Sequence, residues 1–191
     1  MIAVDSRAQG KSGDTDAPLT YDLMASDLSS LLDQLQIDSA LIWGQSDGAI
    51  LGLLLAMDYP GKVKKVVAFG ANIQPDSLAI FQWAIHGTDK ILKESKDSKE
   101  KKLSKLMLDY PKIPYTKLSQ IKAPVLVVAG DRDIIRPEHT LKIFQHIPNS
   151  QLCIIPGATH GAAWEQKDFF LKMMVDFFDR PFTMPDTKDW F

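Results

Sequence analysis

Short runs of β-branched and other apolar residues alternate along this chain with stretches whose apolar positions recur at helical spacing, a pattern that predicts a parallel sheet built from βα units. Ile2-Ala3-Val4 is the first strand-like run. Tyr21 to Ile37 then sets Met24, Leu28, Leu31, Leu32 and Leu35 on one helical face, with Thr20 placed to cap it. Ala40-Leu41-Ile42-Trp43 reads as a strand ending at Gly44, and Ala49 to Met57 as an apolar helix that stops before Pro60. Val63 to Phe69 and Val125 to Ala129 are further buried strands, Pro137 to Ile147 is a helix, and Gln151 to Ile155 is a last strand. A closing helix, Phe169 to Phe178, presents Phe169, Phe170, Met173, Met174 and Phe177 on one face. Between about 72 and 118 the alternation lapses, and the segment is expected to be a small helical cap within a single domain spanning 1–191. Its lysines, Lys90, Lys93, Lys96, Lys99, Lys101, Lys102 and Lys105, are interleaved with Glu94, Asp97 and Glu100, as on a solvated helix face.

Composition narrows the function without naming it. A chain of 191 residues, 45% hydrophobic and 24% charged, is long enough for one real core. A formal charge of −2 offers no general attraction to a polyanion, so nucleic acid is excluded as an expected partner and a small molecule is favoured. The one cysteine, Cys153, permits neither an internal disulfide nor a cysteine-based metal cluster, and it favours a reducing, cytoplasmic setting. The longest apolar run falls far short of the roughly 20 residues of a membrane span, so no membrane partner is expected. No signal peptide is evident in the sequence as it begins, although one upstream of residue 1 would escape this reading.

Chemistry concentrates where strands give way to loops. Gly44-Gln45-Ser46-Asp47-Gly48 has the G-x-S-x-G pattern between a strand and a helix, where a sharp turn exposes a serine and the following helix aims its N-terminus at the reacting centre. Both flanking glycines are expected to lack bulk for steric reasons. Gly130-Asp131-Arg132-Asp133 follows the Val125 to Ala129 strand and offers a carboxylate, while Pro156-Gly157-Ala158-Thr159-His160-Gly161 follows the last strand and offers a histidine free to face a cleft. His139 and His146 fall in a helix and His86 in the cap. Taken singly, each loop is also what an ordinary turn or helix cap would show.

Order and position join them: serine, acid and histidine in turn, each at the C-terminal end of a strand. In this the sequence resembles the α/β-hydrolase family, and Asp5-Ser6-Arg7-Ala8-Gln9-Gly10-Lys11-Ser12 resembles that family's D-x-R-G-x-G-x-S turn, with Ala8 in place of a glycine. The resemblance implies an α/β fold with a mostly parallel sheet flanked by helices. It implies Ser46 as nucleophile, His160 as general base and Asp133 as the acid, with Asp131 the alternative for that role. The backbone N–H of Asp47 would be the first oxyanion donor, and its side chain would either reach substrate or complement the helix dipole. No metal or organic cofactor is implied. The family also carries three strands and an H-G loop ahead of the D-x-R turn, so the resemblance implies that the first strands are missing. A sheet without them would leave a gap, pair Ile2 to Val4 into it, or borrow a strand from another chain in a homo-oligomer. Two functions follow: a serine hydrolase acting on a small ester, lactone or aminoacyl ester through an acyl-enzyme, or a catalytically inactive remnant that binds a ligand or partner.

Overall fold

In the computed structural model, which describes residues 1–190, four parallel strands form one sheet in the order β1 (Ala40–Gln45), β2 (Val63–Phe69), β3 (Val125–Gly130) and β4 (Ser150–Ile155). The two inner strands explain their own sequences. In β3 every residue is buried, so apolar side chains are needed on both faces and the alternation of a half-exposed strand is absent. Val66 and Ala68 of β2 and Val125 and Val127 of β3 enter one core, whereas Val67, Phe69, Leu126 and Val128 enter a second core on the opposite face.

The first core is closed by α1 (Tyr21–Gln34), α2 (Asp47–Asp58) and α5 (Pro137–His146). Thr20 caps α1 by accepting from the Leu23 N–H at 3.2 Å, as its position ahead of the apolar stripe predicts. Helix α2 is apolar all round, with Ala49 to Met57 entirely buried. It lies so close to the sheet that a β-carbon at Gly52 would come within 3.1 Å of Val66 Cγ1 and 3.3 Å of Ile42 Cγ2. The second core is covered by α7 (Lys167–Asp179), which supplies Phe170 and Phe177; the short α6 (Ala162–Glu165) precedes it where a single closing helix was expected. Between β2 and β3 stand the cap helices α3 (Gln82–Glu94) and α4 (Ser98–Asp109). Lys90–Glu94, Lys93–Asp89 and Lys105–Asp109 pair along their exposed faces, and each such pair contributes only tenths of a kcal/mol. Lys102 pairs with Asp14 and ties the cap to the N-terminal segment.

One predicted strand does not form. Ile2 and Val4 are exposed and unpaired with the sheet, and the chain instead turns at residues 6–13, where the Ala8 N–H donates to Gly13 O at 3.0 Å. Three residues offer few ladder bonds, while the bidentate Arg7–Asp27 pair at 2.6 and 2.8 Å holds this segment against α1. The outer edge of β1 therefore has no partner strand among the described residues, and Leu41 and Trp43 on it are 46% and 45% exposed. No helix among the described residues is long and apolar enough to cross a membrane.

His139 of α5 joins three parts of this frame. Its Nε2 accepts from the Ile73 N–H at 3.0 Å, which leaves the proton of the neutral ring on Nδ1, 2.7 Å from the Tyr115 hydroxyl. Burial pushes its pKa down to about 4, with the Lys142 charge acting the same way and Asp76 against it. The unfolded chain, with an ordinary histidine pKa of about 6.5, binds the extra proton first. Stability from this residue is thus complete above pH ~6.5 and falls as the pH drops toward 4, by up to about 3 kcal/mol. Urea midpoints measured from pH 7 to pH 4.5 should fall more steeply for the parent than for His139→Gln, and parallel slopes would refute the assignment.

Candidate active site

The strands β1, β3 and β4 deliver Ser46, Asp133 and His160 to the same end of the sheet, each in the loop that follows its strand. Ser46 sits at φ 52° and ψ −118°, a backbone conformation that costs on the order of 1–3 kcal/mol in a non-glycine residue. Neighbouring bonds impose it. The Ser46 N–H donates to Phe69 O at 2.9 Å on β2, while Ser46 O accepts from the Ala49 and Ile50 N–H groups at 2.9 and 3.1 Å and begins α2. The amide of Asp47, first in the helix, is among those that no helix can bond internally.

The two glycines of the elbow have different reasons. A β-carbon at Gly44 would fall 2.1 Å from Gly48 O, which no small adjustment relieves, whereas at Gly48 it would meet nothing within 4 Å. Close packing therefore demands the first glycine, and the expectation that both must lack bulk is corrected at Gly48.

Asp133 is the acid that meets His160. Its side chain is fully buried, and Oδ1 accepts from His160 Nδ1 at 2.7 Å and from the Ile135 N–H at 3.0 Å. With Nδ1 engaged, Nε2 is the ring nitrogen left for chemistry. Asp131 is engaged elsewhere, since its Oδ1 accepts from the Gly157 N–H at 2.9 Å and holds the turn ahead of His160. The imidazole also stacks on Phe69, centroids 6.1 Å apart, and Gln45 Nε2 donates to His160 O at 2.6 Å. No hydrogen bond joins Ser46 to His160 among the described residues, as is common before substrate tightens such a site. His86 is exposed on α3 beside Gln82, and His146 lies at the end of α5, both away from this loop.

Several contributors were not legible in the motifs. Gly70, at φ +63°, ends β2, and a β-carbon there would lie 2.6 Å from His160 Cε1. Tyr21 donates its hydroxyl to Asp47 Oδ1 at 2.6 Å, and Gln9 Nε2 donates to Asp47 Oδ2 at 3.2 Å. Burial pushes the Asp47 carboxyl above its ordinary range, opposed by those two hydrogen bonds and by the charge of His160. The one available signal was a repeated glycine at strand ends, since β1, β2 and β3 give way at Gly44, Gly70 and Gly130.

A cavity of about 60 Å³ opens beside the serine, lined by Tyr21, Ser46 and Asp47 and on the cap side by Ile80, Ala84, Ile85, Met107 and Leu108. Asp47 is its single carboxylate, and no lysine, arginine or histidine lines it. Among the described residues no group of three histidine, cysteine or acidic side chains is arranged to hold a metal.

A family model described as the alpha/beta hydrolase fold matches residues 1–90. The serine hydrolase BPHL of Mus musculus is 27% identical over 199 residues, covering 93% of this chain and 68% of that protein. The chain thus resembles the α/β-hydrolase family over its first 90 residues and shares that family's fold. Another relative, the 2-hydroxy-6-oxo-6-phenylhexa-2,4-dienoate hydrolase of Burkholderia cepacia, is 27% identical over 189 residues, with 78% of this chain and 66% of that one aligned. Two solved α/β hydrolases share the fold. The enol-lactonase of Burkholderia xenovorans LB400 superposes with a TM-score of 0.73 at 21% identity, over 92% of this chain and 79% of its own. MGS-M2, from a Medee basin deep-sea metagenome library, does so with 0.79 at 20%, over 96% and 80%.

Gly70→Ala should displace the imidazole and strain the backbone together, costing about 1–3 kcal/mol. The check is a urea unfolding curve with the His160 ring resonances followed by NMR. A variant with parent stability and unmoved resonances would contradict the close approach.

Proposed function

We propose that this chain is a serine hydrolase that cleaves a small ester, lactone or aminoacyl ester through an acyl-enzyme. The observation that carries the reading is the 2.7 Å bond from His160 Nδ1 to the fully buried Asp133, set beside a serine held in a strained elbow at a helix N-terminus. Asp133 fixes the tautomer, so Nε2 is the base. Ser46 gives its proton to Nε2 as Oγ bonds to the carbonyl carbon, and the carbonyl π electrons move to oxygen, where the Asp47 N–H receives the charge. Collapse breaks the bond to the leaving oxygen, which takes the proton from His160; water then repeats the sequence and frees the acid. No metal or cofactor is called for in these steps.

The position of the cavity supports a division of the substrate into two halves. His160 must face the leaving group, yet it does not line the cavity; the acyl part therefore occupies the space beneath α3 and α4. Its walls are apolar apart from a few groups, Asp47 among them, so a short and mainly apolar chain fits. The names of the relatives, hydrolases of compact dienoates and an enol-lactonase, support small substrates. A cytoplasmic setting belongs to the same proposal, as does a homo-oligomer, which the open edge of β1 with Leu41 and Trp43 supports.

A fluorophosphonate probe should label Ser46, and Ser46→Ala, His160→Ala and Asp133→Asn should each remove most activity in a non-additive way, because the three act as a unit. Losses that add, or an active Ser46→Ala protein, would sink the assignment, and absence of labelling would favour a ligand-binding remnant. The charge of Asp47 in the cavity should also favour an acyl group bearing an amine over its uncharged isostere and disfavour one bearing a carboxylate. If Asp47→Asn leaves the ratio of kcat/KM values for an aminoacyl ester and its isostere unchanged, Asp47 does not read substrate charge.

A further inference from the structure

Gln45, the residue before the nucleophile, makes a contact that neither the motif nor the mechanism asks for. It is the last residue of β1, and its side chain crosses the end of the sheet to donate from Nε2 to His160 O at 2.6 Å, across 115 positions of sequence. Its other polar atom, Oε1, is buried and has no hydrogen-bond partner among the described residues. A buried acceptor left unpaired is destabilising, a cost that stands against the bond made by Nε2. The alternative amide orientation would set Oε1 against the carbonyl oxygen of His160, two acceptors face to face, so the donor assignment is the favourable one.

We infer that Gln45 is a positioning residue that sets the separation of Ser46 and His160. The inference rests on the reading of those residues as nucleophile and base. Asp133 holds Nδ1 of the imidazole and Phe69 covers one face, but both act on the ring, and the bonds that tie the loop to β3, from the Arg132 N–H to Ala158 O and from the Gly157 N–H to Asp131, stop short of the His160 peptide. The loop itself lies between Gly157, at φ +66°, and Gly161, and Glu165 grips only Thr159, accepting from its N–H at 2.8 Å. Gln45 supplies the missing restraint at the His160 carbonyl. Because its own backbone leads directly into Ser46, one residue connects the peptide of the nucleophile to the peptide of the base. A displacement of the order of 1 Å at such a pair can cost about 10²-fold in rate.

Gln45→Met separates this role from plain structural support, since it keeps the length of the side chain, removes the donor and removes the unpaired Oε1 as well. The expected protein unfolds at the parent urea concentration or higher, yet kcat and the rate of fluorophosphonate labelling at Ser46 fall by about 10- to 100-fold while KM stays within about twofold. Gln45→Glu, which sets a carboxylate against the carbonyl, should be slower still. In the unsubstituted protein, one side-chain amide proton of Gln45 should exchange with solvent slowly. A folded Gln45→Met or Gln45→Glu protein with parent kcat and labelling rate would overturn the inference, as would Gln45 amide protons that exchange at the rate of a free amide. An active Ser46→Ala protein would instead remove the reading of the site itself. An inactive Ser46→Ala beside a fully active Gln45→Met would remove only the role of Gln45.

Discussion

The backbone carrying His160 passes so close to the end of β3 that a β-carbon at Gly130 would lie 2.1 Å from Ala158 O. The same crowding recurs at the neighbouring strand ends, with Gly44 against Gly48 O and Gly70 against the imidazole. These are contacts with backbone or with a ring pinned by Asp133, so no rotamer change relieves them. Loops that approach this closely can exchange backbone bonds, as when the Arg132 N–H donates to Ala158 O at 2.9 Å and the Asp131 N–H to Ile155 O at 3.1 Å. The 2.7 Å distance from Asp133 to His160 is a consequence: two residues on separate strands meet because their main chains are already in contact. A larger residue at Gly44 or Gly130 would move a backbone before it could move a side chain, and at Gly70 it would displace the imidazole.

The rigid frame makes the strain at Ser46 tolerable. A serine at φ 52° persists only where surrounding bonds over-determine it, and here β2 holds its N–H while α2 holds its carbonyl. The apolar character of α2 follows from the same need. A helix buried on all sides against both β1 and β2 cannot drift, so the amide of Asp47, the oxyanion donor in the proposed reaction, is held beside Ser46.

How much of this could be read from the residues depends on how local its cause is. Strand β3 was legible because burial on both faces forces an uninterrupted apolar run, β2 because Val66 to Phe69 are likewise buried, and the elbow because its serine and both glycines fall within five residues. Ile2 to Val4 has the composition of a strand but not its pairing, and pairing is decided by what lies beside it in space. The choice between Asp131 and Asp133 was open for a similar reason. Both follow β3, and only the packing of the Gly157 turn sends one to a backbone N–H and the other to the imidazole. Gly70, Tyr21, Gln9 and Gln45 act on partners far away in sequence, so no spacing rule marks them.

Asp47 illustrates how a conflict between levels points to function. At the start of a helix a carboxylate ordinarily faces water and complements the dipole. Here burial disfavours its charge, and Tyr21 and Gln9 each give it one hydrogen bond, leaving further acceptor capacity on both oxygens. Capping alone would not call for such a group, since any small polar side chain at the preceding position would serve. The cavity beside it contains no basic residue to neutralise it, so a cationic group on a bound molecule is the partner that would offset the desolvation. In the proposed reaction the first residue of α2 would act twice on one substrate, through its N–H on the reacting carbonyl and through its carboxylate on the acyl chain.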